Sequence, residues 1–137
     1  FINNLRYAIK KVQNLPVSLL IEPLNNIDAP GYFLSTTLQA ESIIKEIGSD
    51  KLKLMFDCYH VQLMQGNLSR LFLHHRDIIG HVQFASAPTR GAPDTGEIDF
   101  KYLFDYIKCH GYRQPLGAEY KPVGPTDDSL EWMNKLQ

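Results

Sequence analysis

The chain has 137 residues, 44% of them hydrophobic, and a formal net charge of −1. This length allows one ordinary hydrophobic core, and the balanced charge argues against nucleic acid or an anionic membrane surface as a partner. The longest apolar stretch, residues 16–24, contains two prolines and Glu22, and it is far shorter than the ~20 residues that span a bilayer.

The chain repeats one unit, a short apolar strand followed by an amphipathic helix. Helices are predicted over residues 1–13, 35–48, 66–80, 99–111 and 129–137, and strands over residues 17–22, 51–57, 81–85 and 115–120. Ser35 or Thr36 should cap the second helix and Gly48 should end it, while Asp99 and Gly111 should bound the fourth. Strands that alternate with helices predict parallel pairing and an α/β fold, either half of an eightfold barrel or a small open sheet.

Every predicted strand ends near a polar residue with an oxygen acceptor. These residues are Glu22, Asp57, Gln83 and Glu119. Because the carboxyl ends of parallel strands emerge on one face, three carboxylates and one amide oxygen should converge there. An acid at a strand end is often only a helix cap or a turn residue, but capping explains one such residue more readily than four, and Gln is not a favoured cap.

Carboxylates packed this closely repel one another unless a cation neutralises them. A divalent metal would supply that cation. Ligands that are all oxygen favour Mg²⁺ or Mn²⁺ over Zn²⁺, which prefers His or Cys. The pattern therefore predicts a metal-binding enzyme site.

Five segments of the chain carry a family resemblance. "IEPLN", "FDCYH", "GNLSRL", "HVQFASAPTRGAPDTGEIDF" and "GAEYKP" resemble the hydroxypyruvate isomerase family, within the xylose-isomerase-like barrels that also contain ketose 3-epimerases. Their order and spacing match the carboxyl-terminal half of a (β/α)8 TIM barrel. The resemblance implies one barrel segment over residues 1–137, and with Phe1 at the start we expect an excerpt from a longer chain.

The resemblance also implies roles for individual residues. Glu22, Asp57, Gln83 and Glu119 match the family's metal quartet, and Glu22 and Glu119 match the acidic pair that shuttles a proton through an enediolate. His60 and Arg90 match positions that hold substrate oxygens. Gln83 stands where the epimerase branch usually has histidine, which favours conversion of hydroxypyruvate to tartronate semialdehyde over another ketose or oxo acid as substrate.

The remaining candidates are open to two interpretations. His81 shares a strand face with Gln83, so it either touches substrate or is a hydrogen-bonded core histidine. Lys121 shares the facing of Glu119 and either neutralises it or binds a carboxylate. His60 is expected in a loop above the metal and not on the ion. His74 and His75 are expected to be exposed, because no metal-ligand spacing joins them to an acid.

Other function classes remain as alternatives. Metal-dependent phosphodiester cleavage would need a basic groove and more histidines for several Zn²⁺ ions. A non-catalytic half-barrel would be a binding module whose open sheet edges pair with another half, as in a homo-oligomer. Cys58 and Cys109 have no pairing spacing, so we expect free thiols in a reducing, cytoplasmic compartment.

Overall fold

A computed structural model describes residues 1–136 of the chain. Within these residues four strands form one parallel sheet in chain order: β1 (Leu19–Ile21), β2 (Leu52–Asp57), β3 (Ile79–Phe84) and β4 (Leu116–Ala118). Each strand pairs with the next one along the chain, and helical segments connect them. The predicted parallel α/β fold is confirmed, and its architecture is that of half of an eight-stranded barrel.

The helices in the described part are α1 (Ile2–Val12), α2 (Thr37–Ile47), α3 (Cys58–Met64), α4 (Leu68–His75), α5 (Phe100–Cys109) and α6 (Trp132–Lys135), with a 3₁₀ turn over Asp127–Ser129. None of the helices in residues 1–136 is both long and apolar enough to cross a membrane.

The ends of α2 and α5 follow the cap residues that the sequence predicts. The Thr36 side chain accepts a hydrogen bond from the Gln39 backbone N–H, and Asp99 accepts one from Tyr102. Gly48 has a positive φ of 65° at the carboxyl end of α2, a conformation that costs glycine least. These local signals fix the helix ends because they satisfy backbone groups that the helices leave unpaired.

The sequence-based prediction is wrong around α3, α4 and α6. α4 ends at His75, residues 76–78 form a turn, and β3 begins at Ile79, so the helix predicted over residues 66–80 is too long. The short helix α3, which directly follows β2, was not predicted. The predicted closing helix over residues 129–137 is reduced to the 3₁₀ turn and the four residues of α6, and residue 137 lies outside the described residues.

One face of the sheet packs against the helices and forms the core. Leu54 and Phe56 of β2 and Val82 and Phe84 of β3 are buried there. Their helical partners include Ala40, Ile43, Ile44, Phe72, Phe100, Leu103 and Ile107. The alternate residues of the same strands point to the opposite face, which the helices do not cover.

A β-bulge at Gly80 sets the register of that uncovered face. Leu54 pairs with Ile79 and Met55 with His81, so Gly80 has no partner on β2. Beyond the bulge, Asp57 lies opposite Gln83. Without the bulge, Val82 would lie opposite Asp57, and the Gln83 side chain would face the core.

We expect Gly80→Ala to destabilise the protein. A Cβ at this position would lie 2.7 Å from the Lys53 Cβ and 2.5 Å from the Leu20 Cδ2, closer than packed carbon atoms come. Relief of such overpacking costs about 1–3 kcal/mol of unfolding free energy. Urea unfolding measures the loss of unfolding free energy, with Ser42→Ala, at an exposed position of α2, as the control. Equal unfolding midpoints for the two variants would contradict the close packing around Gly80.

Candidate active site

The four strands bring the predicted polar quartet to one end of the sheet. Glu22 directly follows β1, Asp57 ends β2, Gln83 is the next-to-last residue of β3, and Glu119 directly follows β4. The strand register places Asp57 opposite Gln83, and the Glu119 backbone N–H donates to the Phe84 carbonyl at 3.0 Å. All four residues therefore lie at the carboxyl ends of the strands.

Three oxygens of the quartet are buried without a donor. Glu22 Oε1, Asp57 Oδ2 and Gln83 Oε1 have no hydrogen-bond partner among residues 1–136. The other Asp57 oxygen accepts from the Tyr59 backbone N–H at 2.8 Å and caps α3. Capping thus explains one Asp57 oxygen only. Unpaired buried acceptors are unfavourable, so these atoms mark a place where a cation or a donor fits.

The carboxylates of this cluster perturb one another. Burial, followed by the charges of Asp57 and Glu119, raises the pKa of Glu22 to about 7. Burial is also the largest cause that raises the pKa of Asp57 to about 6. Both acids are thus held where ionisation is costly, chiefly because they are buried.

Arg90 is the positive charge that the chain itself supplies. Its guanidinium donates to Glu119 Oε2 at 2.7 Å, lies 3.7 Å from Asp57 Oδ2, and stacks over the Tyr59 ring at 5.1 Å. Its backbone has a positive φ of 56°, and its carbonyl accepts from the Lys121 N–H at 2.7 Å. The partner of Glu119 is therefore Arg90, while the Lys121 side chain is exposed.

His60 lies in the first turn of α3 and not in a loop, which corrects the sequence-based expectation. It is almost fully buried, and its Nδ1 accepts hydrogen bonds from the Asn25 backbone N–H at 3.0 Å and from the Asn25 amide at 2.7 Å. Burial and the charge of Arg90 lower the pKa of His60 to about 4. The ring is therefore neutral at pH 7, with its single proton on Nε2.

This tautomer determines what His60 can do. Its Nε2 lies 3.9 Å from Glu22 Oε1 and 3.8 Å from Asp57 Oδ2. Ligand atoms of Glu22, Asp57 and His60 lie within 4.8 Å of one another, a spacing compatible with a shared metal ion. A nitrogen that carries a proton has no lone pair for a metal, however, so His60 is a hydrogen-bond donor to this space.

Three residues that the sequence analysis did not single out complete the surroundings of His60. Asn25 is fully buried, and its Oδ1 accepts from the backbone N–H groups of Ile27 and Asp28. The Asp28 carboxylate accepts from the Asn25 amide at 3.0 Å and from the Tyr59 hydroxyl at 2.6 Å. In the sequence, Asn25 and Asp28 are indistinguishable from ordinary turn residues, so no local signal identifies them.

His81 lies on the uncovered face of β3, half-buried. A Cβ on Gly117 of β4 would lie 2.8 Å from His81 Nε2 and 3.5 Å from Gln83 Cγ. Glycine at this position therefore leaves the room that both side chains occupy. His81 therefore lies beside Gln83, whereas the Lys121 side chain is exposed.

The donor set fits a hard divalent cation. Three carboxylates and an amide oxygen are the ligands that Mg²⁺ and Mn²⁺ take in proteins. The unpaired oxygens of Glu22, Asp57 and Gln83 are the atoms that would bind it. Glu119 is not within the 4.8 Å grouping of Glu22, Asp57 and His60, and it would have to leave its ion pair with Arg90 to join them.

Comparison with known proteins gives a consistent result. Hydroxypyruvate isomerase of Escherichia coli (strain K12) is 43% identical over 133 residues, which cover 97% of this chain and 52% of the relative. The 2-oxo-tetronate isomerase of Cupriavidus necator is 40% identical over 135 residues, with 97% and 51% covered. The crystal structure of AP endonuclease, family 2 from Brucella melitensis matches with a TM-score of 0.94 at 39% identity, over 100% of this chain and 53% of that chain.

The chain spans about half the length of the curated relatives it matches. A family model described as the xylose isomerase-like TIM barrel matches residues 1–136, the same residues that form the parallel half-barrel. With both the sequence match and the strand arrangement in agreement, the chain belongs to the xylose isomerase-like TIM barrel family.

Proposed function

We propose that this chain carries the catalytic residues of an isomerase that interconverts hydroxypyruvate and tartronate semialdehyde with the help of a divalent cation, Mg²⁺ or Mn²⁺. The observation that carries the proposal is the set of buried, unpaired oxygens of Glu22, Asp57 and Gln83 at the carboxyl ends of adjacent strands. The substrate class comes from the relatives, which are named as isomerases of hydroxypyruvate and 2-oxo-tetronate.

Glu22, Asp57, Gln83 and Glu119 would hold the cation. When bound, it would polarise the substrate carbonyl and stabilise negative charge that develops on its oxygen. It would also offset the cost of burying the charged forms of Glu22 and Asp57, which is the main cause of their raised pKa values.

The proton transfers fall to Glu22 and Glu119. One carboxylate removes a proton from the hydroxymethyl carbon of hydroxypyruvate, and the electron pair left behind forms the carbon–carbon double bond of an enediolate. A proton returned to the neighbouring carbon, together with transfer of the hydroxyl proton between the two oxygens, gives the aldehyde.

His60 and Arg90 would orient the substrate. The Nε2–H of His60 points into the space beside Glu22 and Asp57, where it can donate to a substrate oxygen. The Arg90 guanidinium has five N–H donors in a planar fork, so its contact with Glu119 leaves donors for a carboxylate. Hydroxypyruvate has that carboxylate and a neutral ketose does not. His81, beside Gln83, and the exposed Lys121 are further candidates for contact with the substrate.

Two other functions would give different results in the activity assays described below. The name of the Brucella melitensis structure raises cleavage of DNA at abasic sites. The oxygen-only quartet and the net charge of −1 favour a small anionic substrate over a nucleic acid. An inactive half-barrel that serves as a binding module would turn over neither substrate.

We expect Glu22→Gln and Glu119→Gln each to lower turnover of hydroxypyruvate about 10²–10⁴-fold, the contribution of a positioned acid or base. Glu97→Gln is the matched control. The Glu97 carboxylate accepts a hydrogen bond of 3.0 Å from the Gln62 amide and not from a member of the quartet. The assay follows hydroxypyruvate loss with Mg²⁺ or Mn²⁺ present, for the chain alone and for the chain co-expressed with the remaining half of the Escherichia coli relative. Unchanged turnover in both quartet variants, or cleavage of abasic DNA in place of isomerisation, would contradict the proposal.

Asp57→Asn should separate metal binding from folding. Asparagine keeps an oxygen that can cap α3 but removes a buried charge, so without metal the variant should melt at or above the temperature of the parent. Saturating Mn²⁺ at 100 times its Kd should stabilise the parent by about 2.7 kcal/mol and the variant far less. Thermal unfolding with and without Mn²⁺, with the exposed Asp50→Asn as control, tests this; equal stabilisation of parent and Asp57→Asn would argue against Asp57 as a ligand.

Asn25→Ala should impair catalysis through His60. Loss of the Asn25 amide removes one of the two donors to His60 Nδ1 and loosens the orientation of the ring, and loss of such a supporting partner typically costs about 10–100-fold in activity. The backbone donor remains in the variant, so the lower end is expected. Asn26→Ala, at an exposed neighbouring position, is the control. In a cycle with His60→Gln the two losses should not add, whereas additive effects would show that Asn25 acts independently of His60.

A further inference from the structure

A second group of potential ligands lies on the outer helices, away from the quartet. Glu41 of α2 and His74 and His75 of α4 each offer one ligand atom within 4.8 Å of the other two. His74 Nε2 lies 3.4 Å from Glu41 Oε2. No spacing in the sequence indicates this group, because Glu41 is distant along the chain and only the packing of α2 on α4 brings it close.

His75 is buried, contrary to the expectation that both histidines are exposed, with only 1% of its surface accessible. Its Nε2 lies 3.0 Å from the Thr37 hydroxyl. That hydroxyl donates its single hydrogen to Gln65 Oε1 at 3.2 Å, and the Thr37 backbone N–H points at the same oxygen at 3.0 Å. With the hydroxyl hydrogen assigned to Gln65, Nε2 carries the ring proton and donates to Thr37.

The lone pair of the His75 ring is therefore on Nδ1. This atom is buried and has no hydrogen-bond partner in the described part of the chain. Buried polar atoms are nearly always paired, so this unpaired ring nitrogen needs an explanation. A ring nitrogen of His75 lies within 4.8 Å of ligand atoms of both His74 and Glu41. A histidine whose other nitrogen donates to a fixed neighbour is the arrangement found around protein-bound metals.

We propose that Glu41, His74 and His75 form a second metal site, which takes a borderline transition-metal ion such as Zn²⁺ or Ni²⁺. Two imidazoles and one carboxylate suit these ions and not Mg²⁺, and water would complete the coordination. Two ligands bound at tetrahedral Zn²⁺ stand about 3.4 Å apart, and His74 and Glu41 already have that separation. The bound ion would join α2 to α4.

Lys45 is the competitor for this site. Its ammonium lies 2.7 Å from Glu41 Oε1, but its side chain is 69% exposed and can leave for water. His74 is also exposed, so the site opens to solvent on the side from which an ion arrives. Loss of the lysine charge should therefore tighten binding, because one cation no longer displaces the other.

Calorimetric titration with ZnCl₂ tests the proposal in a Glu22→Gln, Asp57→Asn background, which removes the ligands of the active-site quartet. One equivalent of Zn²⁺ should bind, and MgCl₂ should give no signal. Glu41→Gln and His74→Gln should each weaken binding at least 10-fold, while His110→Gln, on α5's carboxyl-terminal side, should leave it unchanged. Lys45→Met should bind Zn²⁺ more tightly than the background protein.

His75→Gln changes a buried position, so the circular dichroism of this variant is first compared with that of the background protein. If His75→Gln does not fold, Glu41→Gln and His74→Gln provide the test. Visible absorption of bound Co²⁺ provides an independent readout, since a tetrahedral site with two nitrogens gives a strong band that His74→Gln should remove. Absence of Zn²⁺ binding in the background protein, or binding that neither Glu41→Gln nor His74→Gln weakens, would overturn the proposal.

Discussion

The structure depends on one electrostatic constraint, the concentration of negative charge at the carboxyl ends of the strands. Glu22 and Asp57 have raised pKa values because they are buried together beside Glu119. A protein core tolerates such grouping only where a cation or a set of donors compensates it. Arg90 supplies part of that compensation through Glu119 and Asp57, but it leaves three buried oxygens unpaired within residues 1–136.

The sheet creates this concentration through its register. The bulge at Gly80 turns Gln83 to the same face as Asp57, and Gly117 leaves space for Gln83 and His81 on the neighbouring strand. The opposite face of the same strands is fully apolar and packed on the helices. The fold thus places the packed core on one strand face and the candidate functional residues on the other, at the ends of rigid elements.

Much of this could be predicted from the sequence. Strand and helix order followed from periodicity, helix ends from Thr36, Gly48 and Asp99, and the convergence of the quartet from parallel pairing. The tautomer of His60 could not be predicted, because it depends on a contact with Asn25 that only the folded chain makes. The burial of His75 and its proximity to Glu41 were missed for the same reason, since helix packing and not sequence spacing brings them together.

The most direct test of the metal quartet is a crystal structure of the protein grown with Mn²⁺. An anomalous peak should lie within about 2.0–2.6 Å of oxygens from Glu22, Asp57, Gln83 and Glu119, and His60 Nε2 should remain outside that range because it carries a proton. A crystal saturated with Mn²⁺ that shows no ion at the strand ends, or an ion bound through His60 in place of Gln83, would contradict this assignment.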